Sequence, residues 1–62
     1  MIRFLRLPEV IELTGLSRST IYAMVERNEM PAPAKLGPRA IAWSDSEIRN
    51  WIDERLAERE IA

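Results

Sequence analysis

The apolar positions of the chain fall into helical clusters separated by residues that stop helices. Pro8 suits the first position of a helix, where its missing N–H would be unpaired anyway, and Val10, Ile11 and Leu13 supply a short apolar face behind it. The helix is predicted to stop at Thr14. Gly15 can take the left-handed conformation that commonly follows a helix end, and Leu16 can fold back onto the helix it leaves. Ser17 is then an N-cap whose hydroxyl accepts from backbone N–H groups of the next turn, with Leu16 stapled onto Ile21. In this second helix Ile21, Met24 and Val25 share the inward face at i, i+3 and i+4. Ser19, Tyr22, Ala23 and Glu26 point away, and Arg18, Thr20 and Arg27 lie on the flanks.

Asn28 and Glu29 end the second helix, and Met30-Pro31-Ala32-Pro33 cannot continue it, because proline lacks a donor and biases its predecessor toward extended backbone. Two short segments, Ala34 to Leu36 and Ala40 to Trp43, then flank the turn signal Gly37-Pro38-Arg39 and are expected to pair as a hairpin, with Ile41 and Trp43 on one face. Ser44-Asp45-Ser46-Glu47 fits a capping box, and Trp43 is placed to staple onto Ile48. Ile48, Trp51, Ile52 and Leu56 follow as one apolar stripe on a third helix that runs to about Arg59. The predicted fold is mostly α with a small β-hairpin wing. It is a winged helix-turn-helix of three helices and two short strands, built as one domain over residues 1–62.

Composition narrows the chemistry. The 62 residues include no Cys and no His, which excludes disulfides, thiolate or imidazole metal sites and nucleophile–imidazole triads. No metal or cofactor is expected. Asp53 and Glu54 are adjacent on one helix and point in different directions, so convergent acid–base catalysis finds no support and the chain is read as a non-enzyme without a small-molecule substrate. No apolar run approaches the ~20 residues of a membrane span. Arg3 and Arg6 interrupt Met1 to Pro8, which therefore lacks the core of a secretory signal, and a cytoplasmic, nucleoid-associated protein is expected.

The formal net charge is −1, but its distribution is uneven. Residues 1–41 carry six basic against four acidic side chains, whereas residues 42–62 carry three against six. A weakly basic front is joined to an acidic tail segment. Two helices around a tight glycine turn, with a hairpin after them, assign roles by the physics of DNA reading: the N-terminal part of the second helix enters the major groove. There its positive dipole end and backbone N–H groups meet phosphate. Ser17, Arg18, Ser19, Thr20 and Tyr22 are the candidates on this helix, Arg18 for a guanine or a phosphate and Tyr22 for a phosphate or a thymine methyl. Lys35 and Arg39 on the hairpin are candidates for the adjacent backbone or minor groove, and Arg27, with Arg3 and Arg6, for phosphates. Glu26 on the outward face is expected to lie beyond the groove or to pair with Arg27 or another basic group.

Several of these residues occur in an order and spacing that resembles the AlpA-like phage and prophage regulators, a branch of the group that includes MerR-type and excisionase DNA-binding domains. The resemblance is carried by Arg6-Leu7-Pro8-Glu9-Val10, Thr14 through Tyr22, Pro31-Ala32-Pro33, Leu36-Gly37, Arg39, Trp43, Glu47 and Trp51. It implies a small winged domain that binds double-stranded DNA as a transcription regulator or a recombination directionality factor of a mobile element. The chain departs from the family pattern at Ala23 and Ala32, where a basic residue is common, and at Met30, where an aromatic is common. Two positive charges are thereby missing from the expected DNA side, which a homodimer or side-by-side copies on DNA would offset. The alternative reading keeps the winged fold as a protein-interaction module without DNA binding.

Overall fold

Residues 3–59 are described by the computed structural model, so residues 1 and 2 of the N-terminal segment read above, and residues 60–62, lie outside it. The order of elements is β1 (Phe4–Leu5), α1 (Leu7–Thr14), α2 (Arg18–Glu26), β2 (Ala34–Gly37), β3 (Ala40–Ser44) and α3 (Asp45–Glu58). The strands form one antiparallel sheet in the order β1-β3-β2. Three helices and the β2–β3 hairpin make the winged helix-turn-helix that the sequence predicts, with one strand more than the two expected. β1 pairs Phe4 with Ser44 and Leu5 with Trp43. It brings Leu5 into the core, where almost none of its surface remains exposed.

The turn between α1 and α2 is built from local backbone chemistry. Gly15 is left-handed at φ 73°, and its N–H donates to the Ile11 carbonyl at 2.8 Å, which closes α1. Thr14 stitches the same turn: its hydroxyl donates to the Val10 carbonyl at 2.7 Å and accepts from the Leu16 N–H at 3.3 Å. Ser17 caps α2 as expected, its Oγ accepting from the Thr20 N–H at 3.3 Å. At the other end Asn28 is left-handed at φ 59°. The N–H groups of Asn28 and Glu29 reach back to the carbonyls of Val25 and Met24, a Schellman ending that replaces the usual glycine with asparagine.

The core gathers residues from every element except β2: Leu5, Val10, Ile21, Met30, Trp43 and Ile48, with Leu16, Met24, Val25, Trp51 and Ile52 packed around them. Each fully buried aliphatic side chain contributes about 1.5–3 kcal/mol. Met30, which the sequence puts merely in a helix-breaking loop, is buried because both indoles clasp that loop. Trp43 Nε1 donates to the Pro31 carbonyl at 2.9 Å and Trp51 Nε1 to the Glu29 carbonyl at 2.8 Å.

Four local expectations change. α1 begins at Leu7, one residue before Pro8, with Arg6 as its cap. Leu7, Val10 and Ile11 line its inner side, and Leu13 lies beyond the edge of that stripe, 41% exposed. The capping box at Ser44 is half formed. Ser44 Oγ accepts from the Glu47 N–H, but no bond from the Ser44 N–H back to Glu47 is made among the described residues; a reciprocal bond of that kind stands instead at α1, where the Arg6 N–H donates to Glu9 Oε1 at 3.0 Å. Leu56, the last member of the α3 stripe, is 49% exposed, because only the first two turns of α3 reach the core.

Candidate nucleic-acid interface

The N-terminus of α2 presents three hydroxyls and an arginine. Ser17 Oγ donates to Thr20 Oγ1 at 2.9 Å and lies 3.4 Å from Ser19 Oγ, so Ser17, Ser19 and Thr20 form one exposed polar cluster. Ser17 Oγ is also engaged in capping α2. The N–H groups of the first turn that the cap does not reach, those of Arg18 and Ser19, have no acceptor within the helix and point outward along its axis. With the helix dipole they favour an anion at this position.

Arg18 and Tyr22 are one turn apart and in contact, the guanidinium carbon lying 5.7 Å from the ring centroid. Tyr22 points outward as predicted, but only in part. The residue is 37% exposed and its ring rests against Trp43, with centroids 6.5 Å apart and planes inclined by 49°. Through this contact the outward face of α2 adjoins the central strand of the sheet.

The β2–β3 hairpin extends one residue further at each arm than expected, and its register slips between Lys35 and Gly37. Lys35 stands opposite Ile41 with Leu36 bulged beside it, and Arg39 lies in the turn. Both basic side chains are exposed. Arg27 caps the C-terminal end of α2, nine residues and about 13 Å along the axis from Arg18. It pairs with Glu29 at 3.4 Å, not with Glu26, because the left-handed turn at Asn28 swings Glu29 back alongside it. The structure thus unites Ser17, Arg18, Ser19, Thr20 and Tyr22 at one helix end, sets Lys35 and Arg39 on the hairpin, and places Arg27 at the opposite end of α2.

Charge pairing divides the basic residues. Arg3, Arg27, Arg49 and Arg55 are bridged to Glu9, Glu29, Asp45 and Glu58. Arg6, Arg18, Lys35, Arg39 and Arg59 take part in no salt bridge among the described residues. Among the same residues no group of three acidic side chains is arranged to hold a metal, and no helix is long and apolar enough to cross a membrane. The hydroxyl bonds of Thr14 and the contact of Trp43 with Tyr22 are what sequence reasoning missed in this region. Thr14 precedes the turn glycine, a position from which a hydroxyl can bond back to the helix, and that was the available signal.

The family described as "Prophage CP4-57 regulatory protein (AlpA)" matches residues 3–56. Among curated proteins, "Uncharacterized protein ORF88" of Enterobacteria phage P4 is 49% identical over 57 residues, which are 92% of this chain and 65% of that protein's length. A second relative, the "DNA-binding transcriptional activator AlpA" of Escherichia coli K12, is 38% identical over 60 residues, 87% of this chain and 86% of its own. With the helix-turn-helix, the hairpin and all but the last two residues of the third helix inside the matched range, the chain belongs to the AlpA family of prophage regulatory proteins.

Proposed function

We propose that this protein is a phage or prophage regulator that binds double-stranded DNA sequence-specifically, as a transcriptional regulator or an excisionase-like directionality factor. Residues 1–62 act as one DNA-binding domain. The N-terminus of α2 enters the major groove, where Arg18 addresses a base edge and Ser19, Thr20 and the first-turn N–H groups address phosphate. Lys35 and Arg39 extend the contact from the hairpin. The observation that carries this reading is the division of charge: Arg18, Lys35 and Arg39 stay exposed and unbridged among the described residues, whereas four other arginines are neutralised by carboxylates. The E. coli relative, described as a DNA-binding transcriptional activator, supports it. With so few phosphate contacts on one copy, neighbouring copies on the duplex supply the remaining affinity.

The test is selection from pooled random duplexes at two salt concentrations, with Arg18→Ala alongside. Enrichment of a short motif, relaxed at one position by the substitution, is the expected result. If nothing is enriched and residual binding vanishes at modest salt, the reading fails and a protein partner takes the place of DNA.

A further inference from the structure

We infer that Tyr22 is a specificity-positioning residue: it holds the Arg18 guanidinium in the orientation that reads one guanine edge, and acts on DNA through Arg18 instead of through its own hydroxyl. The inference rests on the proposed DNA-reading function and adds to it a division of labour within α2.

The geometry is a chain of supports that starts in the core. Trp43 is fully buried on the central strand and fixed by the bond from its Nε1 to the Pro31 carbonyl at 2.9 Å. Against that indole lies the Tyr22 ring, at 6.5 Å between centroids, and over the Tyr22 ring lies Arg18 at 5.7 Å. No carboxylate bridges Arg18 among the described residues, so the ring contact is what restricts it while its N–H donors stay available. That combination suits bidentate recognition. A guanidinium reads guanine O6 and N7 only when its plane is aimed at them, and a long side chain ordered before binding loses less freedom on forming the pair. The Tyr22 hydroxyl makes no hydrogen bond among the described residues, so the ring alone performs this function.

The experiment is a double-substitution cycle on the intact chain, read as the ratio of affinities for the selected site and for the same site with its Arg18-dependent base pair exchanged. Tyr22→Phe keeps the ring and is expected to keep the wild-type ratio. Tyr22→Leu and Tyr22→Met remove the ring at different volumes, so that one folded variant suffices, with folding checked by circular dichroism. Each is expected to lower the ratio about two- to fivefold, the scale of an exposed cation–π contact. Placed on Arg18→Ala, either is expected to change the ratio no further. The inference is overturned if Tyr22→Phe loses as much as Tyr22→Leu, which assigns the hydroxyl a direct DNA contact, or if the Tyr22 effect persists without Arg18. It is equally overturned if the folded ring-less variants keep the wild-type ratio. Failure of the underlying function reads differently: the wild-type protein itself would then show no site preference.

Discussion

Two arginines of this protein lie over aromatic rings one helical turn away, and their surroundings differ. Arg18 covers Tyr22 at the N-terminus of α2; Arg55 covers Trp51 in the second half of α3 at 5.5 Å. Arg55 is also held by Glu58, whose two carboxylate oxygens lie 2.8 and 2.6 Å from its Nη2, so that nitrogen is engaged inside the helix. Arg18 has the ring and no carboxylate among the described residues. The same kind of arginine–aromatic contact therefore accompanies an ion pair within the helix in one place and leaves the guanidinium unbridged among the described residues in the other. What separates a carboxylate-held arginine from an unbridged one here is the acid three residues on: Glu58 follows Arg55 at that spacing, whereas Ile21 follows Arg18.

The largest effect expected comes from the foundation of the α2 pair. Trp43→Ala removes the buried indole beneath Tyr22 and its bond to Pro31, at a cost of about 3–5 kcal/mol, a large part of the stability of so small a protein. Thermal melting followed by circular dichroism is expected to show loss of the folded state near room temperature; a well-folded variant would mean that Tyr22 needs no such base. Next comes the direct contrast. Arg18→Ala is expected to cost roughly tenfold or more in affinity for a selected site, the value of a bidentate base contact, whereas Arg55→Ala should change it less than about twofold. Equal losses in a fluorescence anisotropy titration would erase the distinction between the two arginines. Smallest are the hairpin cations. Lys35→Ala and Arg39→Ala are each expected to weaken binding evenly across sequences and to reduce the salt slope by about 1.

Much of this arrangement was legible because it is local. The Gly15 turn, the Ser17 cap, the inward Ile21, Met24 and Val25 and the hairpin signal at Gly37-Pro38-Arg39 each depend on residues within one turn of one another. What escaped is what depends on distant chain. β1 has two residues, too few for an alternating pattern, and exists only because β3 offers an edge. Met30 sits among helix breakers, and its burial follows from two indoles that donate to the backbone on either side of it. The candidate site divides in the same way. That Arg18 and Tyr22 share a helix face follows from their spacing, whereas the support from Trp43, 21 residues further on, is a tertiary contact with no local signature. Arg27 was assigned to phosphate or to Glu26; its bridge to Glu29 depends on the left-handed turn at Asn28, which spacing on an ideal helix does not include.

The pairing of Phe4 with Ser44 also sets the order of events when the chain folds. Its two partners are 40 positions apart in a chain of 62, so β1 closes about two thirds of the chain into a loop and is expected to gain its contacts only once β3 is seated on the helices. The helix-turn-helix, by contrast, is made of neighbours and can form early. A conservative change in β1, such as Leu5→Val, is thus expected to lower stability by roughly 1 kcal/mol while leaving the refolding rate near that of the wild type. The loss should fall almost entirely on the unfolding arm of a stopped-flow chevron. In kinetic terms the first strand is expected to act as a latch, contributing little to how fast the helix-turn-helix is assembled and much to how long it stays assembled.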